Sequence, residues 1–82
     1  MKMAPPSVPV TFLSPGEEGE IVEVRGGRGL VKRLAGMGLV RGVRVTMVQW
    51  DTSGPLILAV SGSRIALGRG MAVRIMVRPV LP

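Results

Sequence analysis

Four of the five acidic residues, Glu17, Glu18, Glu20 and Glu23, fall within seven positions of one another, the densest concentration of potential metal-binding oxygen in the chain. A calcium or magnesium cage takes about six or more oxygens converging from a shaped loop, and the spacing of a calcium loop is not present. On an extended strand Glu18 and Glu20 share one face while Glu17 and Glu23 share the other, so the cluster reads as a solvated acidic edge. Gly26-Gly27-Arg28-Gly29 is the second suggestive stretch. A phosphate loop continues into Gly-Lys-Ser/Thr, and Lys32-Arg33 do not complete that pattern. The glycines therefore read as a turn feeding a helix. Neither Cys nor His occurs, which removes thiolate nucleophiles, imidazole bases, zinc fingers, redox pairs and disulfide staples. No residue set supports an enzyme, and no cofactor is called for.

The remaining chemistry is charge. Eleven Lys and Arg against five Asp and Glu give a formal net charge of +6, which favours acidic partners. Residues 24–82 hold ten of the eleven basic residues and only Asp51 among the acids. Outward strand positions Arg44, Arg64, Arg74 and Arg78 could line one surface, so a basic nucleic-acid-binding barrel or regulator-type domain is the competing function class. Against it, barrels that bind single strands stack bases on aromatic platforms, and this chain offers only Phe12 and Trp50. Trp50 shares a strand face with Val48 and is expected to cap an open barrel end. Val48, Trp50 and Met76 together would offer an exposed surface for homo-oligomer formation.

The elements that position these residues must fit in 82 residues, enough for one small domain. With one Phe and one Trp, its core has to come from Val, Ile, Leu, Met and Ala. Pro5, Pro6 and Pro9 mark residues 1–9 as a mobile tail, leaving 10–80 as the domain. Pro15-Gly16 is a turn signal, and Glu20–Val24 has the β-branched content of a strand. Leu30, Leu34 and Met37 fall at i, i+4 and i+7 and predict a helix of two or three turns, limited by Gly36 and Gly38. From Val43 the period becomes two. The runs Val43–Trp50 and Leu56–Val60 form a hairpin across Asp51–Pro55, and Ser61-Gly62-Ser63 turns the chain again into Arg64–Leu67. A last strand carries Val73, Ile75 and Val77 on one face and Arg74, Met76 and Arg78 on the other, until Pro79 stops it. The fold class is mainly β: a small, strongly bent barrel of about five short strands with one inserted helix, closed to avoid bare edges. No apolar run approaches the roughly 20 residues that span a bilayer, and the cytoplasm is the expected compartment.

Taken in order, Leu13-Ser14-Pro15-Gly16-Glu17-Glu18-Gly19, Gly26-Gly27, Arg33-Leu34-Ala35-Gly36-Met37-Gly38-Leu39-Val40-Arg41-Gly42, Gly54-Pro55 and Ile65-Ala66-Leu67-Gly68 resemble the FeoA family. These are the small A components of the ferrous iron transport system. The likeness spans residues 11–78 and implies an SH3-like β-barrel that works through protein contacts and has no catalysis of its own. It implies as partner the cytoplasmic part of the FeoB-type transporter, a membrane GTPase. The same barrel follows a DNA-binding domain in iron-dependent repressors. Lys32, Arg33, Met37, Leu39 and Arg41, on the helix and its following loop, are the expected contact surface, with Leu30 and Leu34 serving the core. Two positions depart from the family pattern. Arg41 stands where Pro is usual, which frees an amide and loosens that corner, and Gly70 replaces a better helix former, which weakens or abolishes a helical turn there. Without Cys or His the expected connection to iron is indirect. The gathered acids and dispersed arginines predict a polarised surface suited to an acidic protein or to the anionic cytoplasmic leaflet.

Overall fold

The computed structural model describes residues 6–51 and 53–81. Six strands form one antiparallel sheet: β1 (Val8–Pro9), β2 (Glu18–Val24), β3 (Arg44–Gln49), β4 (Leu56–Val60), β5 (Ser63–Leu67) and β6 (Ile75–Val80), in the spatial order β1-β6-β2-β3-β4-β5. Helix α1 (Arg28–Ala35) joins β2 to β3, the short helix α2 (Arg69–Ala72) joins β5 to β6, and a 3-10 turn (Val10–Phe12) follows β1. The period-two runs became strands for the expected reason: in β4, Leu56, Leu58 and Val60 are buried and the residues between them half-buried.

The register shifts between Ile21 and Glu23 in the β2–β6 ladder and between Met47 and Gln49 in the β3–β4 ladder. Such bulges bend and twist a sheet. The bend gathers Ile21, Val45, Met47, Leu58, Ile75 and Val77 into one core, which Val10 from the 3-10 turn, Leu34 from α1 and Ala72 from α2 complete. Aliphatic side chains fill it, while Phe12 is 71% exposed. Between β4 and β5, Val60 pairs with Ser63, so Ser61 and Gly62 alone make the turn, at φ 49° and 81°. Positive φ at both positions is the hairpin geometry whose twist matches the strands.

Several expectations are corrected by these contacts. No ladder joins β5 to β1 among the described residues, so the sheet is barrel-like without closing, and the 3-10 turn packs against α2 and β6. Val8 and Pro9 pair with Val77 and Met76, which puts them in the sheet and not in a tail; residues 1–5 lie outside the described residues. Met76 sits in its ladder between Pro9 on one side and Glu23 on the other and is 6% exposed, so it offers nothing for self-association. Val73 caps the C-terminal end of α2 and is 48% exposed, because β6 starts only at Ile75, and Pro79 lies within β6 and does not end it. The helical turn at Gly70 is present: Ala72 and Val73 donate to the carbonyls of Gly68 and Arg69, both at 3.0 Å.

The end of α1 explains a further correction. Gly38 has φ 84°, its N–H donates to the Ala35 carbonyl at 2.9 Å, and the Leu39 N–H donates to the Leu34 carbonyl at 2.9 Å. This pair of bonds is the Schellman closure, which also brings together the apolar residues at its two ends. Here they are Leu34 and Leu39, 0% and 1% exposed. Leu39 therefore belongs to the core and is removed from the expected contact surface. The next corner is firm despite Arg41: Gly42, at φ 93°, donates to the Ile21 carbonyl at 2.7 Å, and Val43 donates to Val40 at 3.2 Å.

Two glycines carry measurable consequences. A Cβ on Gly19 would stand 3.0 Å from both Cβ and Cγ2 of Val77 and 3.3 Å from Cδ1 of Leu13. Gly19→Ala is expected to destabilise by about 1–3 kcal/mol in urea unfolding. At Gly38 there is open space, so the cost comes from the positive φ alone. Gly38→Ala should lower stability by about 1–2 kcal/mol, visible as a lower unfolding midpoint with unchanged m.

Candidate functional site

Helix α1 begins at Gly27, which supplies no side-chain cap, and its first turn holds no acid. Eight residues without a strong cap are marginal alone in water, so the helix stands because the core holds it. Leu34 is buried, and Leu30 and Met37 pack against the core half-buried. Lys32 and Arg33 occupy the last turn, where positive charge complements the helix dipole, and both are exposed. Arg41 is exposed on the following turn. Among the described residues none of these three cations has an ion pair.

Of the five expected contact residues, Lys32, Arg33 and Arg41 thus reach solvent, Met37 does so partly and Leu39 does not. The expectation also missed two neighbours. Val31 on α1 and Val40 on the turn are 39% and 41% exposed, so the cationic helix carries apolar side chains at the surface. Val31 lies one residue after Leu30 on a helix whose apolar stripe was already complete, a signal that it faces outward. Val40 follows a buried residue in a turn, where period carries no information.

The arginines on the sheet do not form the one-signed row that charge alone suggested. In the ladder Glu20 lies opposite Arg78 on one side and Arg44 on the other. The Arg44 guanidinium is 3.7 Å from the Glu18 carboxylate, and Arg25 is 3.2 Å from Glu23. Acids and bases are interleaved across β6, β2 and β3, which corrects the expectation of acids gathered at one end. These pairs are solvent-exposed and add about 0–1 kcal/mol each. Arg64 lies two strands away on β5, and Arg74 between α2 and β6. Among the described residues no group of three or more acids stands close enough to hold a metal ion.

Trp50 directly follows β3 and is half-buried against the core. The Arg69 guanidinium covers its ring at 4.7 Å from the centroid, a cation–π contact. Its Nε1 is the one buried side-chain nitrogen or oxygen without a hydrogen-bond partner among the described residues. Leaving such an N–H unpaired costs about 1–3 kcal/mol. Trp50, Thr11, Arg69, Gly70 and Val73 line a cavity of about 330 Å³. Next to Trp50, Asp51 accepts from the Ser53 N–H at 3.0 Å and the Ser53 hydroxyl at 3.1 Å. These bonds, with the Arg69 charge behind them, hold the Asp51 carboxyl below its ordinary value.

A comparison with known proteins connects this geometry to a family. The FeoA domain matches residues 8–79. A candidate Fe(2+) transport protein A from Methanocaldococcus jannaschii is 38% identical over 69 residues, 84% of this chain and 83% of that one. A crystal structure of an iron uptake regulatory protein, FeoA, superposes with a TM-score of 0.83 at 36% identity, covering 92% of this chain and 99% of that one. A manganese-dependent transcriptional repressor complex superposes with a TM-score of 0.85 at 20% identity over 94% of this chain and 38% of that one, a likeness of fold alone. The expected SH3-like architecture and the expected family both hold: the chain belongs to the FeoA domain family.

Proposed function

We propose that this protein is an accessory, non-catalytic component of ferrous iron uptake, which docks through α1 and the turn after it onto the cytoplasmic part of a FeoB-type membrane GTPase. The observation that carries the reading is the surface of α1: Lys32, Arg33 and Arg41 are exposed and unpaired beside the exposed Val31 and Val40, while Leu34 and Leu39 fasten the same segment to the core. A rigid cationic face with apolar contacts suits an acidic protein surface. Charge there sets register and encounter rate, and the apolar residues provide burial. Among the described residues no helix is long and apolar enough to cross a membrane. On this reading the chain meets its partner at the membrane from the side, with the anionic leaflet as a neighbouring surface. Iron is the cargo of the partner and is not held by this chain.

The test is charge reversal on the native protein. Arg33→Glu combined with Arg41→Glu changes two exposed side chains, and the reversed charge in the last turn of α1 should cost no more than about 1 kcal/mol, leaving the chain folded. Capture of the transporter from detergent-solubilised native membranes should weaken about ten-fold or more, and growth limited by ferrous iron should slow. Wild-type recovery of the transporter and wild-type growth in the double variant would count against α1 as the docking face.

A further inference from the structure

At one end of the sheet three segments of the chain meet. Pro9 of β1 pairs with Met76 and Val24 of β2 with Ile75, and the Arg25 N–H donates to the Arg74 carbonyl at 2.8 Å. The 3-10 turn with Phe12, the loop from Arg25 to Arg28, and the stretch Val73-Arg74 before β6 therefore emerge side by side. Thr11 and Val73 line the same shallow pocket, so Phe12 and Val73 stand on adjoining segments. Phe12 is 71% exposed and Val73 48%. The core is filled without the chain's only Phe, whose side chain is left to water.

The same end is cationic. Arg25, Arg28 and Arg74 are all exposed, and among the described residues neither Arg28 nor Arg74 has an ion pair. Glu23, the nearest acid along β2, is taken by Arg25 at 3.2 Å. Glu18 and Glu20 lie nearer the start of β2, beside Arg44 and Arg78. Exposed apolar side chains flanked by unpaired guanidinium groups find both complements in the interface of an anionic bilayer: the acyl boundary receives the ring and the methyls, and the headgroups carry the negative charge. A nucleic-acid duplex offers phosphates to the arginines but no apolar medium to Phe12 and Val73.

We propose that this end of the sheet is a peripheral membrane contact, at which Phe12 and Val73 enter the headgroup region of an anionic leaflet and Arg28 and Arg74 bind its lipid headgroups. Arg25 keeps its bond to Glu23 and adds little. The attraction needs lipid alone, so it stands or falls apart from docking through α1. The two contacts fit one placement of the protein: Arg28 opens α1 and Lys32 and Arg33 lie in its last turn, so a chain resting on the leaflet holds its docking face close to the membrane surface.

The full chain is sedimented with vesicles of phosphatidylcholine and phosphatidylserine at about seven to three and, separately, with vesicles of phosphatidylcholine alone. It should pellet with the anionic vesicles and stay in solution with the neutral ones. Arg28→Gln combined with Arg74→Gln should weaken the anionic binding about twenty-five-fold, or about five-fold for each arginine lost. Arg64→Gln makes the same charge change at the end of β5 away from α2 and should cost less than about two-fold. Phe12→Ser should weaken binding with both arginines in place. Because the chain has no cysteine, Phe12→Cys carries a single environment-sensitive fluorophore, which should shift to the blue on anionic vesicles while a label on Arg64→Cys does not. If a Gln or Ser variant fails to fold, the two vesicle compositions on the native chain decide. The proposal is overturned by absent binding to anionic vesicles, by equal binding to neutral ones, by equal weakening from Arg64→Gln, or by a label at position 12 that stays in water. It is likewise overturned if duplex DNA at equal phosphate concentration strips the chain from the vesicles, which would make a phosphate backbone the occupant.

Discussion

The meeting of Leu34 and Leu39 beneath α1 is the contact on which the rest of the surface depends. A helix of eight residues with a weak start has little stability of its own, and its cations sit where they do because the Gly38 turn sends both leucines into the core. A second turn, at Gly42, sets the entry into β3 and is tied to Ile21 of β2. These two turns together fix the end of the helix, the corner after it and the places of Lys32, Arg33 and Arg41. Surface and core are coupled here by a few hydrogen bonds.

The remaining charge is arranged differently. On the sheet, Glu18, Glu20, Arg44 and Arg78 alternate across neighbouring strands, which spreads the field and leaves no continuous cationic track of the kind a nucleic-acid backbone follows. At the open side of the sheet the pattern changes again: an indole and a guanidinium, with Thr11, Gly70 and Val73, line a shallow open pocket. The chain belongs to the FeoA domain family, and a relative 38% identical to it bears the name of an Fe(2+) transport protein A.

Most of the strand framework was legible because its signals are local. Leu56, Leu58 and Val60 alternate, Ser61-Gly62 marks a turn, and Leu30 and Leu34 mark one helix face, although the helix ends at Ala35 and leaves Met37 in the turn after it. The errors came from contacts that period cannot register. Alternation points Met76 outward, yet it pairs with Pro9 and Glu23 on an inner strand and is 6% exposed. Leu39 looked like part of an exposed loop, and only the capping geometry at Gly38 reveals that it folds back. Gly70 argued against a helical turn by propensity, but tertiary packing of Ala72 at 0% exposure outweighs that preference. The cavity beside Trp50 could not be read at all, since Thr11, Trp50 and Arg69 are far apart along the chain. Of the contact surface, the cations were visible as charge, whereas Val31 and Val40 emerged only with the burial of their neighbours.

The central claim is that the cationic face of α1 touches the transporter, and the absence of cysteine makes this directly measurable. A single cysteine introduced at the exposed Arg33 (Arg33→Cys) and labelled with a photoactivatable cross-linker marks that face, while Arg64→Cys marks β5 as a control. After illumination with native membranes, the account predicts an adduct between the label at position 33 and the cytoplasmic part of the ferrous iron transporter, with little or none from position 64. No adduct with the transporter from position 33, or equal adducts from both positions, would contradict it.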